Sequence, residues 1–150
     1  MRAGSGAARR TALSKNGGAF MKIRLADIAH ARSGDKADRV DFGLFAWNAA
    51  GYELLAREVT AERVQAHFAP WLPGRVVCWR LPRILALKLV LHDALQGGGA
   101  RNLRLDNLGK AMAGALLRMT IDVSESELAQ CRAQPRVGWW PSDDDPLAAQ

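Results

Sequence analysis

Between residues 21 and 123, apolar side chains recur at spacings that predict a mixture of strands and helices. Residues 22–28 alternate, with Ile23 and Leu25 set against Lys22, Arg24 and Asp27, which predicts a first strand. Residues 40–47 are more uniformly apolar and predict a second, more fully buried strand, and Asn48 to Gly51 break it with turn-forming residues. Thr60 is placed as an N-cap, with Glu62 in the first turn and Ala61, Val64 and Phe68 on one face, so a helix is expected over 60–69. Pro70 and Pro73-Gly74 end it. Residues 75–81 predict a third strand, with Val76 and Cys78 on one side and Val77 and Trp79 on the other.

Residues 83–96 form the longest apolar run. Lys88, His92 and Gln96 recur every four positions as its one polar stripe, so a second, largely buried helix is expected, stopped by Gly97-Gly98-Gly99. Leu103 and Leu105 suggest a short strand, and Asp106 a cap for a short helix over 110–115. Residues 117–123 give the clearest alternation, with Leu117, Met119, Ile121 and Val123 inward. After Val123 the pattern dissolves into polar residues. The elements predict an α+β domain of four or five strands with helices on one face, the 60–69 and 83–96 helices making right-handed crossovers.

The stretch His30 to Trp47, HARSGDKADRVDFGLFAW, concentrates the polar chemistry. It is expected to be a polar loop running into the second strand, and functional loops are often built on such a rigid base. Arg32, Ser33, Gly34 and Lys36 suit an anion such as a carboxylate or phosphate, because a glycine turn exposes N–H groups and the cations add charge. Gly97 to Arg101 is expected to form a second wall, with Gly98, Gly99 and Arg101 as candidates. Asp35, Asp38 and Asp41 recur every third residue, but Lys36 and Arg39 can neutralise them without a metal, so no metal site is expected. His30 is the candidate for acid–base work, weighed against a structural role. No nucleophile sits in a G-x-S-x-G elbow, so catalytic residues are not assigned. Phe42 and Phe45 fall on opposite faces of a strand and the leading basic residue and glycine are missing, which argues against an RNA-binding aromatic strand.

The motif HARSGDK-x-D followed by F-G-L-F-A resembles the small C-terminal domain of the acyclic terpene utilisation protein A (AtuA) family. The resemblance continues through Val59 to Val64, Leu81-Pro82, Leu91 to Leu95, the triple glycine, Arg101 to Asp106, Gly109-Lys110 and Leu116 to Met119, or roughly residues 22–123. It implies a ferredoxin-like α+β domain that accompanies a larger AtuA-type catalytic subunit, in the catabolism of acyclic terpenoids or related branched acyl-CoA compounds. The candidate ligand is then an acyl-CoA or a carboxylate, and no cofactor is expected. The alternative is an interaction module that self-associates or binds a larger protein. The candidate set is His30, Arg32, Ser33, Gly34, Asp35, Lys36, Asp38, Gly98, Gly99 and Arg101. Three positions depart from the family pattern: Ala37 replaces a glycine, Asp41 an asparagine, and Lys88-Leu89 an Asn-Phe pair.

Composition narrows this picture. The 150-residue chain is long enough for one domain with a real core. Its net charge of +6 is concentrated, since Arg2, Arg9, Arg10 and Lys15 place four cations and no acid in residues 1–20. This weakens a nucleic-acid reading built on overall charge. Residues 1–20 are expected to be a disordered basic extension, with Met21 an alternative start. Residues 124–150 are expected to form a polar tail containing Trp139-Trp140-Pro141 and Asp143 to Asp145. Cys78 and Cys131 have no metal or redox spacing, so a reduced, cytoplasmic setting is expected. No run approaches the length of a membrane span.

Overall fold

In a computed structural model of the chain, residues 20–72 and 74–133 are described. Six strands and four helices follow in the order β1 (Phe20–Arg24), β2 (Ala29–Lys36), β3 (Arg39–Ala46), α1 (Ala49–Glu58), α2 (Ala61–Phe68), β4 (Val76–Leu81), β5 (Ala86–Leu91), α3 (Met112–Leu117), β6 (Thr120–Ser124) and α4 (Glu125–Ala133). β2, β3, β5 and β4 form an antiparallel sheet in that spatial order, and β1 pairs with β6 in a separate ribbon. The architecture is an α+β fold of ferredoxin-like type.

Alternation decides which side of the sheet is core. Val40, Phe42 and Leu44 on β3 lie level with Leu91, Leu89 and Leu87 on β5, and all six are buried. Phe68 of α2 meets Phe42 with ring centroids 5.7 Å apart, so the helical layer covers this face. The opposite face carries His30, Arg32, Gly34 and Lys36 of β2, then Arg39, Asp41, Gly43 and Phe45 of β3. Lys88 and Val90 of β5 and Val77, Trp79 and Leu81 of β4 complete it. A sheet open on one side can carry polar residues there at no cost to the core.

The long helix expected over 83–96 is a strand. Leu85 adopts a left-handed conformation (φ 52°), and from Ala86 onward Leu87, Leu89 and Leu91 point inward while Lys88 and Val90 point out. A short apolar run does not distinguish a buried strand from a helix by periodicity, and pairing with β3 and β4 on both sides decides the outcome. The expected strand at Leu103 and Leu105 is also absent: both lie in an irregular segment, fully exposed at 100% and 106%.

Two helices lie where turn or tail was expected. Asn48 caps α1 by accepting the Gly51 N–H at 2.8 Å, so the turn residues after β3 start a helix. Its amide also donates to the Cys131 carbonyl at 2.8 Å, tying the start of α1 to α4. α4 occupies residues assigned to the polar tail. Ser124 and Glu127 exchange bonds at its start, with the Ser124 N–H to Glu127 Oε2 at 2.8 Å and the Glu127 N–H to Ser124 Oγ at 3.3 Å. S-E-S-E is the spacing of a capping box, the signal that would have found this helix. Thr60 caps α2 through the Arg63 N–H, in the position the sequence indicates. The first nineteen residues of the basic extension, and the tryptophan pair and acidic run of the tail, lie outside the described residues.

Candidate functional site

The polar segment 30–36 belongs to β2 rather than to a loop, and only Ala37 and Asp38 form the turn into β3. Lys36 and Arg39 close the hairpin opposite each other. Ala37 has φ 57°, a conformation that tight hairpin turns usually reserve for glycine, asparagine or aspartate.

Asp38 ties this turn to the glycine-rich segment. Its Oδ1 accepts the N–H groups of Leu95 at 3.0 Å and Gly97 at 2.8 Å, and its carbonyl accepts that of Ala94 at 2.9 Å. Asp93, Gln96, Gly97 and Gly98 all have positive φ, so the chain turns sharply here, and glycine suits two of these positions. The Gly98 backbone packs beside the Ala37 carbonyl: a Cβ on Gly98 would come within 3.5 Å of that oxygen. Arg101 lies over Gly97, where a Cβ would meet its Cδ at 3.4 Å. The hairpin turn and the glycine loop, 60 positions apart from Ala37 to Gly97, therefore form one corner of the sheet.

Ser33 ties in a third segment. Buried on the core side, it donates to the Gly109 carbonyl at 2.6 Å and accepts the Ala113 N–H at 2.9 Å, which holds the start of α3 against β2. Asp106 turns the preceding chain by accepting the N–H groups of Lys110 and Ala111 at 2.7 and 3.0 Å. The Lys110 ammonium then reaches around to Gly34, 2.9 Å from where a Cβ would stand.

These contacts sort the candidates by what they have left to offer. Ser33 and Asp38 use their oxygens on backbone groups and position the corner. Gly34 makes room for Lys110. His30 stacks on Phe45 (5.1 Å, 12°) and leans on Trp47 (4.8 Å), on the open face and away from the turn. Asp35 and Asp41 point to opposite faces of the sheet, and Asp41 pairs with Lys88. Among the described residues no group of three His, Cys, Asp or Glu is fit to hold a metal ion. Arg32, Lys36, Arg39, Arg101 and Lys110 make no ion pair among the described residues. Of these, Lys36, Arg39 and Arg101 flank the turn, and Lys110 reaches the same hairpin at Gly34.

Arg39 and Lys110 were not among the sequence candidates. Lys110 meets Gly34 across 76 positions, a contact no local pattern announces. Besides donating its N–H to Asp38, Leu95 helps line an apolar pocket of about 160 Å³ with Phe68, Trp71, Leu72, Met112 and Ala115, joined by Arg104 and Asp106. Both cysteine thiols are pushed up from their ordinary value, chiefly by burial.

The segments meeting at this corner are the ones that carry the family resemblance, and the model of the AtuA ferredoxin-like domain matches residues 23–122. The chain belongs to the AtuA ferredoxin-like domain family. No curated protein and no solved structure matches it. Among the described residues of this AtuA-family domain, no helix is long and apolar enough to cross a membrane.

Proposed function

We infer that this chain is an accessory domain or small subunit of an AtuA-type enzyme system acting on acyclic terpenoids or related branched acyl-CoA compounds. Its role is to hold an acidic group of the ligand at the corner formed by the hairpin turn and the glycine loop. The observation that carries this reading is the set of cations there with no carboxylate partner among the described residues. Lys36, Arg39 and Arg101 surround a turn whose own acid, Asp38, is spent on backbone N–H groups. Such cations bind carboxylate or phosphate oxygens by charge-assisted hydrogen bonds, each contributing about 1.5–3 kcal/mol. The apolar pocket lined by Leu95 offers room for a short branched acyl group.

Calorimetric titration of the full chain with a short branched acyl-CoA, free coenzyme A and a short branched carboxylate tests this. Saturable binding of the acyl-CoA, weakened by added salt, is the expected result. Heat indistinguishable from dilution for all three would remove the ligand-binding role. Binding of free coenzyme A as tight as that of the thioester would show that phosphates, and not the acyl group, are recognised.

A further inference from the structure

The apolar pocket has a built shape. Phe68, Leu72 and Leu95 form its inner wall, and all three belong to the core. Met112 and Ala115 of α3 close another side. His67 of α2 fixes the width, because its Nε2–H donates to the Ala115 carbonyl at 2.9 Å and braces α2 against α3. The His67 ring also meets Phe68 and Trp71 edge-on, with centroids 5.1 and 6.1 Å apart. Trp71 is the outer wall, and it stays 58% exposed. A large ring left this open at a pocket keeps apolar area in water, which an apolar occupant would cover. The Leu95 N–H is held by Asp38 at 3.0 Å while the residue lines the pocket, which sets the pocket beside the cationic corner.

Size and charge define what fits. The pocket measures about 160 Å³, and an apolar cavity of about 150 Å³ holds one benzene ring. Arg104 and Asp106 are its charged residues. The Asp106 carboxylate accepts the N–H groups of Lys110 and Ala111, whereas Arg104 makes no ion pair among the described residues. The charge left to offer an occupant is therefore a guanidinium, whose planar fork suits a carboxylate.

We propose that this pocket selects the ligand by the shape of its apolar end. It admits a compact branched or cyclic group of about five or six carbons. Trp71 and Ala115 set the size limit, and Arg104 holds the oxygen that follows the apolar group. The inference rests on the ligand-binding reading above and deepens it, by naming which apolar groups are accepted and which residues refuse the rest.

Magnetic resonance of the full chain with isotope-labelled methionine methyl groups tests the proposal. Met112 lines the pocket and reports on it, and Met119, buried elsewhere in the core, is the internal control. The probes are isovalerate, cyclohexanecarboxylate, the bulkier cage adamantanecarboxylate, and isovaleramide as the uncharged counterpart of the first. The two compact carboxylates should shift the Met112 methyl saturably and leave Met119 in place, with the cage bound more weakly by about tenfold or more. Trp71→Ala removes a largely exposed wall and should admit the cage. Ala115→Leu projects into the open volume and should weaken every probe by about tenfold or more. Arg104→Ala should weaken isovalerate by about tenfold and leave isovaleramide unchanged. The two size variants are read independently, so a failure of either to fold leaves the other as the test.

A parent chain that binds the cage as tightly as isovalerate overturns the size limit, as does binding indifferent to both Trp71→Ala and Ala115→Leu. A Met112 methyl unmoved by every carboxylate, in a chain whose corner cations still bind acyl-CoA, overturns the pocket and leaves the corner reading standing. Binding of neither carboxylates nor acyl-CoA overturns both. A Met112 methyl that shifts with protein concentration alone would assign the pocket to a second copy of the chain and overturn the proposal.

Discussion

Asp41 and Lys88 lie diagonally opposite each other on adjoining strands, and their side chains bond across β3 and β5. Two positions 47 residues apart in the sequence therefore act as one ion pair. Asp41→Asn alone, or Lys88→Asn alone, should cost about 0.5–1 kcal/mol in urea unfolding, and the double variant should recover most of it. Strictly additive losses would mean that the pair is incidental. Ser33 contributes differently, because its hydroxyl satisfies a buried carbonyl and a buried N–H at once. Ser33→Ala should lower stability by roughly 1–3 kcal/mol, read in the same unfolding experiment. Ala37 sits in a left-handed conformation that costs an alanine more than a glycine. Ala37→Gly should raise stability by about 0.5–1 kcal/mol, and a loss on that substitution would show the turn to be unstrained.

At the scale of elements, what was legible depended on how locally each element is determined. Thr60 announces α2, and the alternation through Met119, Ile121 and Val123 announces β6, because a cap or a clean period of two is a local signal. β5 was not legible as a strand, since Leu87, Leu89 and Leu91 fit a buried helix equally well until β3 and β4 flank them. β2 reads as a loop in the sequence because polar residues on an open sheet face imitate one. The glycine loop and the hairpin read as candidate partners in the sequence, but the bonds joining them through Asp38 depend on the fold. α4 is held by the Ser124–Glu127 exchange and by Arg57, 2.8 Å from Glu127. The Ser124 N–H and hydroxyl, with Arg57, hold the Glu127 carboxyl below its ordinary range. The folded value is depressed, so the stabilisation is complete above the unfolded value of about 4.3 and fades as pH falls through the folded one. Glu127→Gln keeps a capping-box acceptor but loses the charge, so it should lower stability at neutral pH by about 0.5 kcal/mol, and the gap to the parent should close on acidification. A gap that persists at pH 2 would assign the effect to packing instead.

For the whole molecule, three segments distant in sequence meet at one corner of the sheet, and their uncharged work is separable from their charged work. Ser33, Asp38 and Asp106 hold backbone groups and build the corner. Among the described residues, the side chains of Lys36, Arg39, Arg101 and Lys110 hold none of its framework hydrogen bonds, apart from a bond from the Lys36 ammonium to its neighbouring carbonyl. We propose that these cations serve a ligand and not the fold. The most direct test is the Lys36→Ala with Arg101→Ala double variant, followed by thermal melting and by acyl-CoA titration on the same preparation. Melting within about 4 °C of the parent and an acyl-CoA affinity reduced at least tenfold are expected. A large fall in melting temperature, or an affinity equal to the parent's, would contradict it.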